Sequence, residues 1–346
     1  MTKNIDLILL ALILGIGALS LSALLTMSKS IASAQLIFWV IGLVLLYISS
    51  TFTSNIWQKI TPYFYILSVI SLVLLFFLAD PVRGSVRWIE FGFLRIQPSE
   101  IAKLSTILAL ALFFKERSAK DVKNLLFSLL IIMPPVLLVI LQPDLGNTLA
   151  FFGVWLGITI ASGLKAKQVF SVLFAGLITF IFLYEILAPY QKERLVSFFT
   201  PTKDPLGTGY HLIQSKIAIG SGQLFGRGLG LGYQSQLEFL PEAETDFIFA
   251  TIVEQLGFVG GALLLILLGL VLSRLNRLIS GMQRFGQLFT IGLLAYLLVQ
   301  ILVNIGMNMA LAPVTGITLP LVSAGGSSLV TTLLAIGILL SFRKYN

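Results

Sequence analysis

The chain has 346 residues, of which 57% are hydrophobic and 11% charged, and its formal net charge is +8. Its mean hydropathy is +0.98. Soluble domains carry roughly 25% charged residues, so a soluble globular protein is excluded and a polytopic membrane protein is expected. There is no cysteine, which excludes disulfides and thiolate metal sites, and the single His211 excludes a histidine-cluster metal site. One histidine also argues against a Ser-His-Asp triad.

The first apolar run, 7–27, starts after six residues. It is too long for a signal-peptide core and lacks a small-residue cleavage pattern, so it reads as a retained helix. Nine further runs follow: 34–54, 62–79, 99–114, 124–142, 146–163, 168–188, 246–273, 287–312 and 321–341. A membrane helix needs about 20 mainly apolar residues. The predicted fold is therefore all-α, with ten transmembrane helices in a single membrane domain over 1–346. Proline and charge mark most of the breaks. The gap at 189–245 is different: polar, glycine-rich and 57 residues long. It reads as a large extracytoplasmic loop between helices seven and eight.

Orientation follows from Lys and Arg in short loops. With the N-terminus inside, 13 basic residues fall on the cytoplasmic side and 4 in the short outer loops. Both termini are thus expected inside. The positive charge is mainly this topology signal, with anionic lipid contact second; a nucleic-acid partner has no support. The loops 80–98, 189–245 and 313–320 then face outward, and they hold the unusual polar content.

The first polar stretch is GSVRWIEFGFLRIQPSEIAKL, 84–104. Pro98 suits the first turn of the fourth helix, and Glu100 lies where the helix dipole favours an anion. Lys103 sits one turn deeper, inside an apolar segment, where charge is costly and faces a cavity or a partner. A structural Glu100–Lys103 pair and a charged cavity both fit. Arg87 and Trp88 read as interface anchors, or as contacts for a phosphate and a sugar face.

The second stretch is LQPDLGNTL, 141–149. Asp144 fits an N-cap of the sixth helix, which leaves it able to line a site. In the long loop, Gly220, Gly222, Gly226, Gly228, Gly230 and Gly232 permit close backbone approach to a ligand. They are not a dinucleotide fingerprint, because no strand–turn–helix surrounds them. His211 reads as a surface loop residue.

Next comes FLPEAETDFIFA, 239–250. Capping of the eighth helix by Thr245 or Asp246 fits this stretch. Capping needs one acid, however, and here Glu242, Glu244 and Asp246 are followed by Glu254, roughly 12 Å deeper at 1.5 Å rise per residue. A carboxylate at the membrane boundary can serve as a general base on a hydroxyl. Last is NIGMNMALAPVTGITLPLVSAGGSSLV, 304–330. Its small residues allow close helix packing, and its helix N-terminus also suits a phosphate.

As an ordered set, RWI with QPSE and a lysine, QPDLG, the glycine-rich IGSG run, LPEAETDFIF and PLVSAGGSS resemble the SEDS family of bacterial cell-wall polymerases, the group containing RodA, FtsW and SpoVE. The resemblance runs nearly the full length. It implies ten transmembrane helices in the bacterial plasma membrane and a peptidoglycan glycosyltransferase that polymerises lipid II. It implies a class B penicillin-binding protein as partner, within the elongation machinery. The short stretch before the first helix fits the elongation-type members, with division-type members as the alternative. A lipid II flippase is the rival from another class; it would favour interrupted helices at matching places in two halves, and no repeat is evident.

The family's catalytic aspartate falls on Asp246, and Glu100, Lys103 and Asp144 match positions lining its outward cavity. The set expected to bind substrate is Arg87, Trp88, Glu100, Lys103, Asp144, Gln214, Lys216, Thr245 and Ser327, with Arg87, Lys103, Lys216 and Arg227 candidates for the pyrophosphate. A divalent cation, Mg or Mn, is compatible with a bridge from phosphate to carboxylate. Three departures stand out. Glu244 replaces a common histidine, Ala324 a common aromatic, and Gln255 the second acid of an E-E-L-G motif.

Overall fold

The computed structural model describes residues 6–78, 87–91, 94–186, 192–193, 196–198, 200, 209–237 and 239–343. The chain is mostly helical. The helices are α1 Leu7–Met27, α2 Lys29–Thr51, α3 Ser54–Leu78, α4 Pro98–Phe114, α5 Val122–Leu141, α6 Leu145–Ala161, α7 Ala166–Ile186, α8 Tyr210–Ser221, α9 Tyr233–Gln236, α10 Ile248–Arg277, α11 Arg284–Asn308 and α12 Gly326–Ser341. All ten predicted segments fall on one of these. Among the described residues six helices, α1, α2, α3, α5, α10 and α11, are long and apolar enough to cross a membrane. The chain is a multi-pass membrane protein.

Several boundaries differ from the sequence reading. The third helix begins at Ser54 and carries Pro62 inside it, as α5 carries Pro134 and Pro135. Proline is tolerated within membrane helices because neighbours can re-satisfy the freed backbone groups. The fold is not purely helical either. Ile89–Phe91 and Leu94–Ile96 form an antiparallel pair, β1 and β2, with Ile89 opposite Ile96. Part of the predicted loop 189–245, including 201–208, lies outside the described residues. Its second half contains two helices, α8 and α9.

Several helix starts follow the residues beside the apolar run. Asp6 caps α1 by accepting from Leu9 N at 3.0 Å, and Asp121 caps α5 through Lys123 N at 3.0 Å. Pro98 opens α4 at a position whose N–H would have no intrahelical partner.

The contacts divide the helices into two compact units. One holds α1, α2, α8, α9, α10, the C-terminal part of α11 and α12. In it α10 packs on α1, α8 and α9. At the N-terminal end of α1, Arg274 Nη2 meets the buried Asp6 carboxylate at 2.7 Å, which ties α10 to α1. The second unit holds α3, the β pair, α4 to α7 and the first part of α11. There α4 packs against α3, α5 and α6. It is buried nearly all round, so Ser99, Glu100, Lys103, Ser105 and Thr106 are all interior. Leu7, Tyr63 and Phe77 are exposed on outer helices, as lipid contact requires.

Candidate active site

Asp246 lies in a turn over 241–247, two residues before α10 begins. The sequence alone suggests a place at the helix start. Its side chain is half-buried. The turn is unusually well held. The Glu244 carbonyl accepts from Ala324 N at 2.8 Å, and the Thr245 carbonyl from Ser323 Oγ at 2.6 Å. The Asp246 carbonyl accepts from Asn304 Nδ2 at 3.0 Å and Asn308 Nδ2 at 2.9 Å. Three successive carbonyls are thus each taken by a group outside the turn. Phe247 packs beneath it with Ala218, Leu240, Ala243 and Ala250. Thr245 Oγ1 bonds Glu242 Oε2 at 3.1 Å.

Glu242 and Leu321 adopt positive φ, 54° and 65°. For residues other than glycine this conformation costs roughly 1 kcal/mol or more. Both lie in motifs that meet here, because Ser323 Oγ also accepts from Leu319 N at 2.8 Å. Strain of this kind gathers where surrounding structure overrides local preference.

Glu254, the fourth acid, has a different task. It is fully buried and accepts from Gln234 N at 2.8 Å and Ser235 N at 3.1 Å. These are orphan amides at the start of α9. Its N-cap is Gly232, which has no side chain to offer. Glu254 therefore caps α9 from a neighbouring helix.

In the second unit a polar chain runs through the protein interior. Tyr296 Oη donates to Glu100 Oε2 at 2.8 Å. Lys103 Nζ donates to Glu100 Oε1 at 2.7 Å and to Asn147 Oδ1 at 2.6 Å. It also stands 4.9 Å from the Tyr296 ring centre, a cation–π distance. Asn147 Nδ2 donates to Asp144 Oδ2 at 2.8 Å, and Asn147 N to Asp144 Oδ1 at 3.1 Å. Asp144 thus caps α6, as expected, and joins the chain as well. Arg87 completes it, 3.7 Å from Asp144 and donating to the Pro143 carbonyl. Lys103 is 0% exposed, whereas the Arg87 side chain is 16% exposed. Charge inside a membrane protein needs partners, and here each carboxylate has a cation beside it.

A family model described as a cell cycle protein, FtsW/RodA/SpoVE, matches residues 3–346. The chain belongs to the FtsW/RodA/SpoVE family. It is 40% identical to peptidoglycan glycosyltransferase MrdB of Escherichia coli K12 over 308 residues, 88% of this chain and 83% of that protein. It is 37% identical to stage V sporulation protein E of Bacillus subtilis over 327 residues, covering 91% and 87%. Among solved structures, a chain from a peptidoglycan synthase complex that coordinates polymerization and crosslinking matches with TM-score 0.84 and 30% identity, covering 98% of this chain and 97% of that one. The rod shape determining protein RodA of Thermus thermophilus matches with TM-score 0.74 and 29% identity, covering 99% and 98%.

Part of the glycine-rich motif packs against the protein's own backbone. Gly226 (φ 82°) and Gly257 (φ 70°) lie against each other's backbone at a break in α10. A Cβ on Gly226 would collide with the Gln255 carbonyl, and one on Gly222 with the Val253 carbonyl. A Cβ on Gly232 would come within 2.6 Å of Glu254 Oε2. Gly222, Gly226 and Gly232 therefore admit the protein's own α10, and at these three positions the expected close approach is to the protein itself. The break is sealed from both sides. Phe258 N donates to the Gln223 carbonyl at 2.8 Å and Val259 N to Leu224 O at 3.1 Å. In return, Arg227 N and Gly228 N each donate at 3.0 Å, to the Glu254 and Gln255 carbonyls.

His211 is a helical residue of α8 whose ring stacks on Phe247 at 5.9 Å, and not a surface loop residue. Stacking on an apolar neighbour is invisible to sequence spacing. Gln214 is half-buried and Lys216 exposed, both on α8. Trp88 and Ser327 are half-buried. Gly326 faces the Phe38 ring, so the small residues at the start of α12 serve packing there. Among the described residues no group of three or more His, Cys, Asp or Glu is placed to hold a metal ion. They form no ready-made cage for Mg or Mn. Sequence reasoning does not single out Asn147 and Tyr296, which hold the charged chain, or Asn304 and Asn308, which hold the Asp246 turn. Their signal is a hydrogen-bonding group within or beside an apolar helical run, which costs free energy unless paired.

Proposed function

We propose that this chain is a peptidoglycan glycosyltransferase that polymerises lipid II into β-1,4 glycan strands and releases undecaprenyl pyrophosphate. The observation that carries the reading is Asp246, a half-buried carboxylate on a turn whose carbonyls at 244, 245 and 246 are all tied down. A general base works best when its geometry is fixed before substrate arrives. Asp246 takes the proton of the acceptor N-acetylglucosamine 4-hydroxyl. The oxygen attacks C1 of the N-acetylmuramic acid at the lipid-linked end of the donor. The C1–O bond to pyrophosphate breaks, and undecaprenyl pyrophosphate leaves with the electron pair. An α-linked donor gives a β bond by single displacement, so inversion needs no glycosyl-enzyme.

Arg87 is the exposed end of the charged chain and the side chain best placed to meet a phosphate. A guanidinium pairs with phosphate oxygens in a fixed fork. Lys103 and Glu100 hold that chain in shape, and Asp144 aims Arg87. Trp88, Gln214, Lys216, Thr245 and Ser327 remain substrate-contact assignments carried by the family motifs.

The ten predicted spans, the 189–245 loop outside, both termini in the cytoplasm and a site facing outward in the bacterial plasma membrane make up the proposed topology. The charge contrast of 13 against 4 supports it. A role in cell elongation, with a class B penicillin-binding protein as partner, is supported by the likeness to RodA and to a synthase-complex chain. A flippase would hold an interrupted helix open for its cargo. The α10 break instead has four of its backbone groups closed by residues 223–228.

The test is purified protein with purified lipid II, alone and with the partner. Glycan strands longer than the starting disaccharide support the reading. Movement of lipid II between leaflets without polymer would replace it with the transporter.

A further inference from the structure

α11 ends in the run Asn304-Ile305-Gly306-Met307-Asn308. Residues four apart share one helix face, and both asparagines are fully buried. Asn304 Nδ2 donates to the Ile317 carbonyl at 2.7 Å as well as to Asp246. Asn308 is tied more widely. Its Nδ2 donates to the Asp246 carbonyl at 2.9 Å and the Asn304 carbonyl at 2.8 Å. Its Oδ1 accepts from Ala250 N at 3.0 Å, and its own carbonyl accepts from Ser215 Oγ at 2.7 Å.

In an uninterrupted helix the carbonyl of residue i takes the N–H of residue i+4. Asp246 O and Ala250 N are such a pair. Here the Asn308 amide stands between them, bonded to each. The first regular bond of α10 comes one residue later, from Thr251 N to Phe247 O at 3.1 Å. Asp246 is thereby left in the turn.

We propose that Asn308, assisted by Asn304, is a positioning residue that wedges between Asp246 and Ala250 and keeps Asp246 from being drawn into α10. The inference rests on Asp246 being the base. Without the wedge, Asp246 O and Ala250 N are free to bond each other. The helix then gains a residue, and the carboxylate turns with it. The bonds on Glu244 and Thr245 from Ala324 and Ser323 hold the other side of the same turn.

The experiment compares purified Asn308→Leu, Asp246→Asn and the double variant on lipid II, with initial rates over a range of lipid II concentrations. Leu keeps the branched outline and removes the bonds to Asp246 and Ala250. Asn308→Leu is expected to lower the maximal rate by between about tenfold and about 10²-fold, the scale of a displaced catalytic group. The lipid II concentration giving half-maximal rate is expected to hold within about twofold, because binding is not the step affected. In the Asp246→Asn background the same change is expected to cost nothing further, because its effect passes through Asp246. Asn304→Ala, which removes one of two donors, is expected to show a smaller loss of the same kind, and it carries the test if Asn308→Leu does not fold. A wild-type rate in Asn308→Leu, or an equal further loss in the double variant, overturns the positioning role and leaves the base reading standing. A near wild-type rate in Asp246→Asn overturns the base reading, and the positioning role with it.

Discussion

Gly226 lies against Gln255 so closely that any side chain on it would overlap the Gln255 carbonyl oxygen. That contact is where a glycine-rich loop seals a broken membrane helix. Gly226 also has φ 82°, a region that L side chains rarely adopt. Gly226→Ala is therefore expected to destabilise the protein by more than about 1 kcal/mol. A Cβ on Gly220, in α8, would meet nothing within 4 Å; Gly220→Ala should stay within about 0.5 kcal/mol of wild type or gain stability. Thermal unfolding in one detergent compares the two, and equal midpoints would refute the sealing role.

Glu254 holds two amides of α9 with a buried carboxylate. Glu254→Gln puts an amide group where an acceptor is needed. A loss of about 1–3 kcal/mol is expected, the cost of a mispaired buried donor. Hydrogen exchange at 233–237 should rise while exchange in α4 stays unchanged. Uniform exchange across both would point to global loosening instead of a lost cap.

The Glu100–Lys103 pair sits at 2.7 Å with the ammonium shut from solvent. Lys103→Met leaves a buried carboxylate with one fewer partner, which typically costs about 3–5 kcal/mol. Adding Glu100→Gln should recover part of that loss, because it removes the stranded charge. A double-mutant cycle on the thermal midpoint and on the polymerisation rate reads both effects. Activity that recovers in step with stability would make the pair purely structural. Activity that stays low in the restabilised double variant supports a part in substrate binding.

One face of α10 exposes Leu263, Ile266 and Leu270. Lipid covers such a face by default, and the proposed partner has a membrane helix that needs one. Bulky substitutions here are expected to lower partner co-purification and partner-stimulated polymerisation, with basal activity nearly intact. Coupling between such sites is typically about 1–3 kcal/mol. Equal stimulation across a full panel of variants would remove this face as the docking surface.

Much of this is legible in the sequence because membrane helices announce themselves by length and apolarity. Each of the ten predicted segments overlaps a helix, six of them long and apolar enough to cross a membrane, and Asp144 caps α6 as its place before the run suggests. Glu100 and Lys103 pair because their spacing puts them on one helical face. Burial all round α4 is a tertiary fact, so the sequence leaves open whether that pair meets solvent. The glycines mislead because spacing shows that backbone comes close to something, never to what. Ser54–Leu78 starts eight residues early because Pro62 resembles a boundary in sequence, while membrane packing accepts it inside a helix. The Asn304–Asn308 support of Asp246 joins segments some sixty residues apart, and no local pattern encodes that.

The most direct measurement is polymerisation of purified lipid II by wild type and Asp246→Asn at matched protein concentration, with thermal unfolding of both recorded. The substitution keeps the size of the side chain and removes the base. Polymerisation is expected to fall by about 10²-fold or more, with release of undecaprenyl pyrophosphate falling in parallel and the unfolding midpoint little changed. A folded Asp246→Asn protein that makes glycan strands at near the wild-type rate would contradict the account.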